Sequence, residues 1–283
     1  MVAHQRQGPE HWSEVRILCG HSILFENMIE IDTIYNEDCL QGMKKIPDGS
    51  VDAVICDLPY GTTACKWDVI IPFEPLWEQY HRVCKPNAPI VLFAGEPFTS
   101  LLIMSNLSEY RQKLTWLKTR PFNVFNAKKQ FMNWTEDIVV FYRQLPTFNP
   151  QFWDDGTPVK KKVQHLNTDR KQGTLGQTGE REGFISVWGG DHRYPKSVLE
   201  FSNVHHGKQA LHPTQKPIDL ISYLIRTYTN EGDTVLDNCM GSGTTAIACI
   251  KERRHFIGFE LKKEYYDKAV RRIDIERRQL TLF

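Results

Sequence analysis

Residues 233–260 of this 283-residue chain read DTVLDNCMGSGTTAIACIKERRHFIGFE. A short apolar run at 234–236 predicts one strand, and HFIGF at 255–259 predicts a second strand. Between them, a loop with Gly241, Ser242 and Gly243 leads into small and apolar residues that are typical of a helix. A strand, a helix and a second strand in this order predict an α/β fold with a parallel sheet.

The loop between these strands has the features of a nucleotide-binding site. Its glycines allow the backbone to approach a ligand closely, and Glu260, 17 positions after Gly243, is placed to accept hydrogen bonds from ribose hydroxyls. The pattern is not GxGxxG, however, and Asp237 precedes the loop, where its charge would repel a pyrophosphate. We therefore predict an adenosine cofactor that carries an amino acid, with Asp237 near its ammonium group. The alternative is that Asp237 only caps the loop.

A second motif follows an earlier apolar run, in VDAVICDLPYG at residues 51–61. The run predicts a strand that is buried on both faces of a parallel sheet, and Asp57 lies where that strand ends. Ligands of open α/β sheets bind beyond the carboxyl ends of the strands, so Asp57 is a candidate catalytic residue. A plain turn is the alternative, because Asp and Pro are common in turns.

A third motif, HPTQKP at residues 212–217, precedes a predicted helix. Pro217 suits the first helical turn. The apolar residues that follow are spaced as one helical stripe and are expected to be buried: Ile218, Ile221, Leu224, Ile225 and Tyr228. His212 and Lys216 lie just before this helix, where the ammonium group of Lys216 could pair with a cofactor carboxylate. A solvent-exposed lysine is the ordinary alternative.

The rest of the chain continues the alternation, interrupted by one segment of different character. Strands are predicted at IDTIY, PIVLFA, KLTWLK and EDIVVFYR, and helices at CLQGMKKI, at 73–83 and at PFTSLLIMSNL. Between about 147 and 211, Gly, Thr, Lys, Asn and His dominate and apolar periodicity is weak. That segment is interpreted as an inserted loop-rich or small β module.

Composition sets further limits. The net charge is +1, and the longest apolar runs are far too short to span a bilayer, so we expect a soluble, cytoplasmic protein with no membrane partner. Seven cysteines form no CxxC pair, which predicts buried free thiols rather than disulfides or a metal site. Basic and aromatic residues are interleaved between Arg111 and Arg143, as in nucleic-acid-binding surfaces, although a solvated face above core aromatics explains them equally well.

In their order along the chain, DLPYG, HPTQKP and DNCMGSGTT resemble the β class of S-adenosylmethionine-dependent DNA methyltransferases that act on amino groups. The resemblance extends from Ile31 to the carboxyl end. It implies a circularly permuted Rossmann-like α/β fold, with a mostly parallel seven-stranded sheet, helices on both faces and an inserted target-recognition region. The family motif reads Asp-Pro-Pro-Tyr, and Leu58 replaces its first proline here, a mild departure if this position contributes only its backbone carbonyl.

The resemblance also assigns regions and site residues. It implies an amino-terminal extension of unknown role at 1–30, a catalytic half at 31–146, a target-recognition region at 147–210 and a cofactor-binding half at 211–283. The expected catalytic residues are Asp57, Leu58, Pro59 and Tyr60. The expected contacts to S-adenosylmethionine come from Asp38, Cys39, His212, Lys216, Asp237, Gly241, Ser242, Gly243, Thr244, Thr245 and Glu260. The expected contacts to DNA come from Lys128, Lys129, Lys160, Lys161, Lys162 and Arg193.

The catalytic motif suits methylation of an exocyclic amino group, whose lone pair is delocalised into the ring of the base. The Asp57 side chain and the Leu58 carbonyl would accept the two amino hydrogens and localise that pair. Tyr60 would stack on the base, and Pro59 would fix its approach. The cofactor supplies the methyl group from its sulfonium, no metal is required, and the base must be rotated out of the duplex to reach the pocket.

An initial Asp in this motif favours N6 of adenine in double-stranded DNA as the methylated atom. The resemblance also leads us to expect a prokaryotic or phage-encoded protein. Several alternatives stay open: N4 of cytosine, an RNA substrate, a Rossmann-type oxidoreductase, and a DNA-binding module without catalysis. A homodimer and a cognate restriction endonuclease are open as further partners. No motif in the chain predicts which DNA sequence would be recognised.

Overall fold

The computed structural model describes residues 29–63, 68–122, 127–153, 162–164, 186–188, 193–203 and 215–280. These ranges contain six helices: α1 (Cys39–Met43), α2 (Phe73–Val83), α3 (Phe98–Ser105), α4 (Ile218–Tyr228), α5 (Thr244–Lys251) and α6 (Lys263–Leu280). They contain ten strands: β1 (Thr33–Tyr35), β2 (Ala53–Asp57), β3 (Ile90–Ala94), β4 (Tyr110–Phe122), β5 (Asn133–Phe141), β6 (Lys162–Gln164), β7 (Ser186–Trp188), β8 (Val198–Phe201), β9 (Thr234–Asp237) and β10 (His255–Phe259). Of the predicted extension at 1–30, only residues 29 and 30 fall within the described part.

The main sheet has eight strands in the order β1-β10-β9-β2-β3-β5-β4-β8. Five of its seven strand pairings are parallel, and the two antiparallel pairings are β3 with β5 and β5 with β4. The predicted fold class, a mostly parallel Rossmann-like sheet, is confirmed. The sheet has one strand more than the seven expected.

The additional strand is β8, which pairs in parallel with β4 over four residues, from Thr115 with Val198 to Lys118 with Phe201. It belongs to the segment that the sequence assigned to the target-recognition region. Its alternation of a buried Leu199 between exposed neighbours marks an edge strand with one face on the core. The two-stranded sheet of β6 and β7 also comes from that segment.

One predicted strand is longer than expected, and one helix was not predicted. KLTWLK lies inside β4, a strand of 13 residues that continues past the apolar core into charged positions. Helix α6, with 18 residues, was not predicted, since its apolar stripe is sparse and is carried mainly by Ala269 and Ile273. The stripe of α4 is buried or partly buried as predicted.

The sheet is covered by apolar side chains on both faces, because consecutive residues of its central strands enter different clusters. In β2, Val54 and Cys56 pack with α1, α2 and α3, whereas Ile55 packs with α4, α5 and α6. Within β9, Val235 packs in the cluster with α4, α5 and α6, and Leu236 packs in the cluster with α1, α2 and α3. Such continuous apolar runs are typical of parallel strands with helices on both sides. Within the described residues, no helix is long and apolar enough to cross a membrane.

Strands β2 and β9 are direct neighbours, with Val54 paired to Leu236. They run parallel, so their carboxyl ends, Asp57 and Asp237, lie at the same edge of the sheet. This pairing brings together two motifs that are far apart along the chain. It creates the crevice in which open α/β sheets bind their ligands.

Candidate active site

A pocket of about 760 Å³ lies at this edge of the sheet. It is lined by the DLPY residues of one motif and by most of the glycine loop of the other. Its volume falls within the range that is usual for small-ligand and cofactor sites. Asp57 and Tyr60 at one end and Asp237 and Glu260 at the other therefore share one cavity, as the sequence motifs predicted.

Both oxygens of the Asp57 carboxylate are engaged by donors. Asp57 Oδ1 accepts a hydrogen bond from the Tyr60 hydroxyl at 2.8 Å, and Oδ2 accepts one from Lys216 Nζ at 2.5 Å. A second carboxylate, Glu136, faces the same two donors: its Oε1 lies 2.8 Å from the Tyr60 hydroxyl and 2.8 Å from Lys216 Nζ. The other oxygen of Glu136, Oε2, lies 2.7 Å from Lys118 Nζ.

Asp57, Glu136, Lys118 and Lys216 form the charge cluster, with two carboxylates and two ammonium groups. Three of these side chains are well buried, at 4% exposure for Lys118, 8% for Lys216 and 11% for Glu136, whereas that of Asp57 is 26% exposed at the pocket wall. The equal numbers of opposite charges allow ionised groups to remain in a site of low polarity.

The cluster shifts the pKa values of its carboxylates in opposite directions. Burial raises the pKa of Asp57 above its usual value, and the attraction of Lys216 offsets this only in part. Burial would also raise the pKa of Glu136, but the ammonium groups of Lys216 and Lys118 outweigh it and lower the pKa to about 2. Glu136 is therefore a permanent anion, whereas Asp57 is the more readily protonated carboxylate.

The segment after Asp57 is held by packing and by one further carboxylate. Leu58 is buried in the core, and the Tyr60 ring stacks on Phe98, with ring centroids 5.2 Å apart. The backbone N–H groups of residues 61–63 donate to Asp68 at 2.7–2.9 Å. Burial alone would raise the pKa of Asp68, but a hydrogen bond from the Thr63 side chain and those from these N–H groups lower it. Asp68 thus anchors the loop that follows the DLPYG motif.

The glycine loop forms the opposite wall. Gly241, Ser242, Thr244 and Thr245 line the pocket, whereas Gly243 turns behind it at the start of α5. Gly243 has φ of +80°, and a Cβ there would lie 3.0 Å from the Cβ of Ala269 in α6. Glycine is thus required both by the backbone conformation and by the close approach of α6.

Asp237 is almost fully buried at the start of this loop, with 3% exposure. Its Oδ1 accepts a hydrogen bond from the Cys239 N–H at 3.0 Å, so it does cap the loop. Burial nevertheless raises its pKa to about 6. Among the residues that the structure describes, no cationic side chain pairs with Asp237, and a buried carboxylate of this kind on a pocket wall fits a ligand that brings positive charge.

Glu260 and Asp38 lie on the same pocket and already serve the backbone. Glu260 accepts hydrogen bonds from the N–H groups of Gly241 at 2.8 Å and Lys262 at 2.7 Å, and burial raises its pKa. Asp38 caps α1 by accepting from the Gln41 N–H at 3.1 Å. Each carboxylate therefore has a structural role in addition to the cofactor contact that was predicted for it.

Two thiols, Cys39 and Cys239, lie on the pocket wall beside Asn238, whose Nδ2 is 3.7 Å and 3.6 Å from their sulfur atoms. Hydrogen bonding to Cys239, together with burial, raises the pKa of Cys39 far above its usual value. The five described cysteines are free thiols, as predicted. Their suppressed ionisation makes them packing groups rather than nucleophiles.

The structure gives Lys216 a partner that differs from the predicted one. The sequence suggested a cofactor carboxylate or solvent, but the ammonium group lies between Asp57 and Glu136 inside the charge cluster. The reason is that the residues before α4 run along the catalytic end of the pocket. His212, the other candidate from the same motif, lies outside the described residues.

The predicted DNA-contacting residues are only partly described. Lys128 and Lys129 are exposed in the connection between β4 and β5. The guanidinium of Arg193 lies 5.2 Å from the ring centroid of Trp153, and Lys162 lies in β6. Lys160 and Lys161 lie outside the described residues.

The interleaved basic and aromatic stretch does not form one surface. Trp116 and Lys118 are buried, so the interpretation as a nucleic-acid face is wrong for these two residues. Phe131 and Trp134 are instead exposed near the start of β5, at 101% and 43%. The first three residues of β5 are exposed and burial begins only further along the strand, which explains the division.

Glu136, Lys118 and Asp68 are site residues that the sequence analysis missed. Glu136 begins the apolar run of β5, and β5 is antiparallel to β3, so its first residues lie at the same edge as the end of β2. An acidic residue at the start of an antiparallel strand therefore reaches the same edge of the sheet as Asp57, which lies at the end of a parallel strand. The signal is present in EDIVVF, but its meaning depends on strand pairing.

Comparisons with known proteins agree with this geometry. A family model described as DNA methylase matches residues 51–271. The chain is 31% identical over 261 residues to the Type II methyltransferase M.BglII of Bacillus subtilis, covering 84% of this chain and 68% of that protein. It is 28% identical over 267 residues to the DNA adenine methyltransferase YhdJ of Escherichia coli strain K12, covering 87% and 84%. The solved M1.HpyAVI-SAM complex has the same fold, with a TM-score of 0.56 and 22% identity over 86% of this chain and 98% of that one.

Proposed function

This chain belongs to the N6/N4 DNA methylase family, and we propose that it transfers a methyl group from S-adenosylmethionine to the N6 amino group of adenine in double-stranded DNA. The observation that carries the proposal is the shared pocket. Asp57 and Tyr60 line one end of it, and Asp237 with the glycine loop lines the other. An amino group at the first end and a methyl donor at the second would be aligned for direct transfer.

The glycine-loop end suits S-adenosylmethionine, with which a protein of the same fold has been solved. Burial raises the pKa of the Asp237 carboxylate, and the ammonium group of the cofactor would favour its ionised form. Gly241 and Ser242 offer backbone close to the ligand, and we assign the ribose to Glu260 and the adenine to Asp38 with Cys39. When bound, the cofactor supplies an electrophilic methyl group.

At the catalytic end, Asp57 and the Leu58 carbonyl would accept the two hydrogens of the target amino group. These two hydrogen bonds would localise the lone pair on the amino nitrogen, where it is available for attack. The Tyr60 ring is supported on one face by Phe98, which makes it a rigid platform for the base. Pro59 restricts the backbone between the acceptor and the platform.

DNA would approach from the side on which the connection between β4 and β5 is exposed. That connection presents Lys128, Lys129 and a fully exposed Phe131, directly before Asn133, which lines the pocket. Ammonium groups for phosphates beside an aromatic ring for stacking are suited to holding a distorted duplex with one base rotated out. The target-recognition role of 147–210 is part of the proposal, with β8 as its attachment to the main sheet.

Adenine is preferred to cytosine for two reasons. The motif begins with Asp, and a relative that is 28% identical over most of both chains is named a DNA adenine methyltransferase. N4 of cytosine is the second candidate, because the same two acceptors suit any exocyclic amino group.

The proposal is tested by incubating the protein with S-adenosylmethionine labelled in its methyl group and with a duplex library. After digestion to nucleosides, we expect the label in N6-methyladenine. Asp57→Asn keeps the size of the side chain but loses its charge, and we expect it to lower the rate by about 10²–10³-fold while cofactor binding is retained. Label in N4-methylcytosine would support the second candidate. Binding of cofactor and duplex with no label in any base would contradict both.

A further inference from the structure

The acceptor that methylation needs is already occupied in the structure. The Tyr60 hydroxyl holds one oxygen of Asp57 at 2.8 Å, and Lys216 Nζ holds the other at 2.5 Å. A target amino group that donates to Asp57 competes with these two donors for the carboxylate and can displace one of them. A displaced hydroxyl or ammonium group inside a closed site requires another acceptor, since a buried unpaired donor is unfavourable.

Glu136 supplies such an acceptor within reach of both donors. Its Oε1 lies 2.8 Å from the Tyr60 hydroxyl and 2.8 Å from Lys216 Nζ, so either donor can leave Asp57 without leaving Glu136. The remaining oxygen, Oε2, is held by Lys118 at 2.7 Å. Lys118 thereby fixes the orientation of the Glu136 carboxylate and keeps Oε1 directed at Tyr60 and Lys216.

We propose that Glu136 is a positioning residue for methyl transfer, which retains the Tyr60 hydroxyl or the Lys216 ammonium group when the target amino group replaces that donor on Asp57. The inference rests on the proposed function and goes beyond it, because it gives a role to Glu136 and Lys118, two pocket-lining side chains that the proposed function does not use. No covalent bond forms or breaks in this exchange. Two carboxylates and two ammonium groups are present before and after it.

The electrostatics of the site lead to a distinctive pH dependence. The groups that face Asp57 are Lys216, Glu136, the Tyr60 hydroxyl and, at longer range, Lys118, Asp237 and Cys56. Lys216 lowers the pKa of Asp57, whereas Glu136 raises it. Methylation requires ionised Asp57, so the rate increases with pH through that pKa.

The experiment measures the single-turnover methylation rate of the full chain as a function of pH, on the duplex that the parent methylates best. Lys216→Gln removes the positive charge, and we expect the rising limb of its profile to move to higher pH. Glu136→Gln removes the negative charge but keeps an acceptor oxygen, and we expect its limb to move to lower pH. Its plateau rate should fall about tenfold or more, because an amide holds an ammonium group less strongly than a carboxylate does.

Lys113→Gln is the matched control. Lys113 lies in β4, like Lys118, and pairs at 3.0 Å with Asp137, which is not a member of the charge cluster. We expect its profile to coincide with that of the parent. Cofactor binding, measured by calorimetry, should be within about threefold of the parent in Glu136→Gln, which separates positioning from loss of the folded site.

The proposal is overturned if Glu136→Gln methylates at the parental plateau rate. It is overturned as well if the rate of Lys216→Gln rises over the same pH range as that of the parent. It is also overturned if the loss in Glu136→Gln is matched by an equal loss of cofactor affinity. Lys216→Arg keeps the positive charge, so its methylation rate should rise over the same pH range as that of the parent. A parent that transfers no methyl group to any duplex would instead refute the proposed function.

Discussion

Lys216 Nζ lies 2.5 Å from Asp57 Oδ2, although the two residues are 159 positions apart in the chain. The contact joins the HPTQKP motif to the DLPYG motif, so HPTQKP belongs to the part of the pocket that Asp57 and Tyr60 line. Since Asp57 has a raised pKa from burial, the nearby ammonium group is what favours its ionised form. The reactivity of the site thus depends on how the charge cluster is assembled.

Removal of Lys118 should destabilise the fold. Its side chain is 4% exposed and it neutralises Glu136, so Lys118→Met leaves a buried carboxylate with one cation fewer. We expect the free energy of unfolding to fall by about 3–5 kcal/mol, as measured by urea denaturation. Lys263→Met, which breaks an exposed pair with Asp267 whose side chains are 67% and 42% exposed, should cost less than about 1 kcal/mol. Equal effects of the two substitutions would contradict a buried charge cluster.

Binding of S-adenosylmethionine should weaken in acid because of Asp237. Burial raises the pKa of this group to about 6, so it is protonated below that pH and ionised above it. The ammonium group of the cofactor favours the ionised form, and we therefore expect the Kd to rise roughly tenfold for each pH unit below 6.

Calorimetric titrations between pH 5 and 7 check this dependence. Asp237→Asn should bind more weakly at pH 7 and show a flat profile over the same range, because its amide does not titrate. A parent protein whose Kd is constant across these pH values would show that Asp237 does not face the ammonium group.

Two glycines of the cofactor loop should respond differently to alanine. Gly243 and Gly241 both have positive φ, +80° and +54°, so each substitution places a side chain in the left-handed region at about 1–2 kcal/mol. A Cβ at Gly243 would also lie 3.0 Å from the Ala269 Cβ, whereas the nearest atom to a Cβ at Gly241 is 3.9 Å away. We expect Gly243→Ala to lower the free energy of unfolding by at least about 1 kcal/mol more than Gly241→Ala does. Denaturation of both variants measures this difference, and a larger loss for Gly241→Ala would refute the packing argument.

Phe131 should contribute to binding DNA and not to folding. Its side chain is fully exposed beside Lys128 and Lys129, so Phe131→Ala should leave thermal stability unchanged. If the ring stacks on a base, its loss should weaken duplex binding by about 1–3 kcal/mol, roughly 5-fold to 150-fold.

Fluorescence anisotropy with a labelled duplex measures the loss of affinity for Phe131→Ala. Met104→Ala is its control, because Met104 is an exposed apolar residue of α3, at 70% exposure, and is not part of the pocket wall. A loss of the same size in the control would indicate a general effect of surface apolarity.

Local patterns were sufficient for most elements of the fold. The unbroken apolar run before Asp57 became a strand buried on both faces, and the stripe that begins at Ile218 became α4. These segments are recognisable because burial on two faces or on one helical face dictates their composition. Helix α6 was missed for the opposite reason, since it is rich in charged residues and buries few apolar ones.

The sequence by itself determined the α/β class, the three motifs and the assignment of Asp57 and Asp237 to strand ends, because each depends on residues that are adjacent in the chain. Only the tertiary structure decided that Glu136, Lys118 and Lys216 surround Asp57. The antiparallel pairing of β5 with β3 brings the start of β5 to that edge. The segment before α4 carries Lys216 to the same place. Such contacts depend on strand order and register, which are set by packing between distant segments, and so no local pattern encodes them.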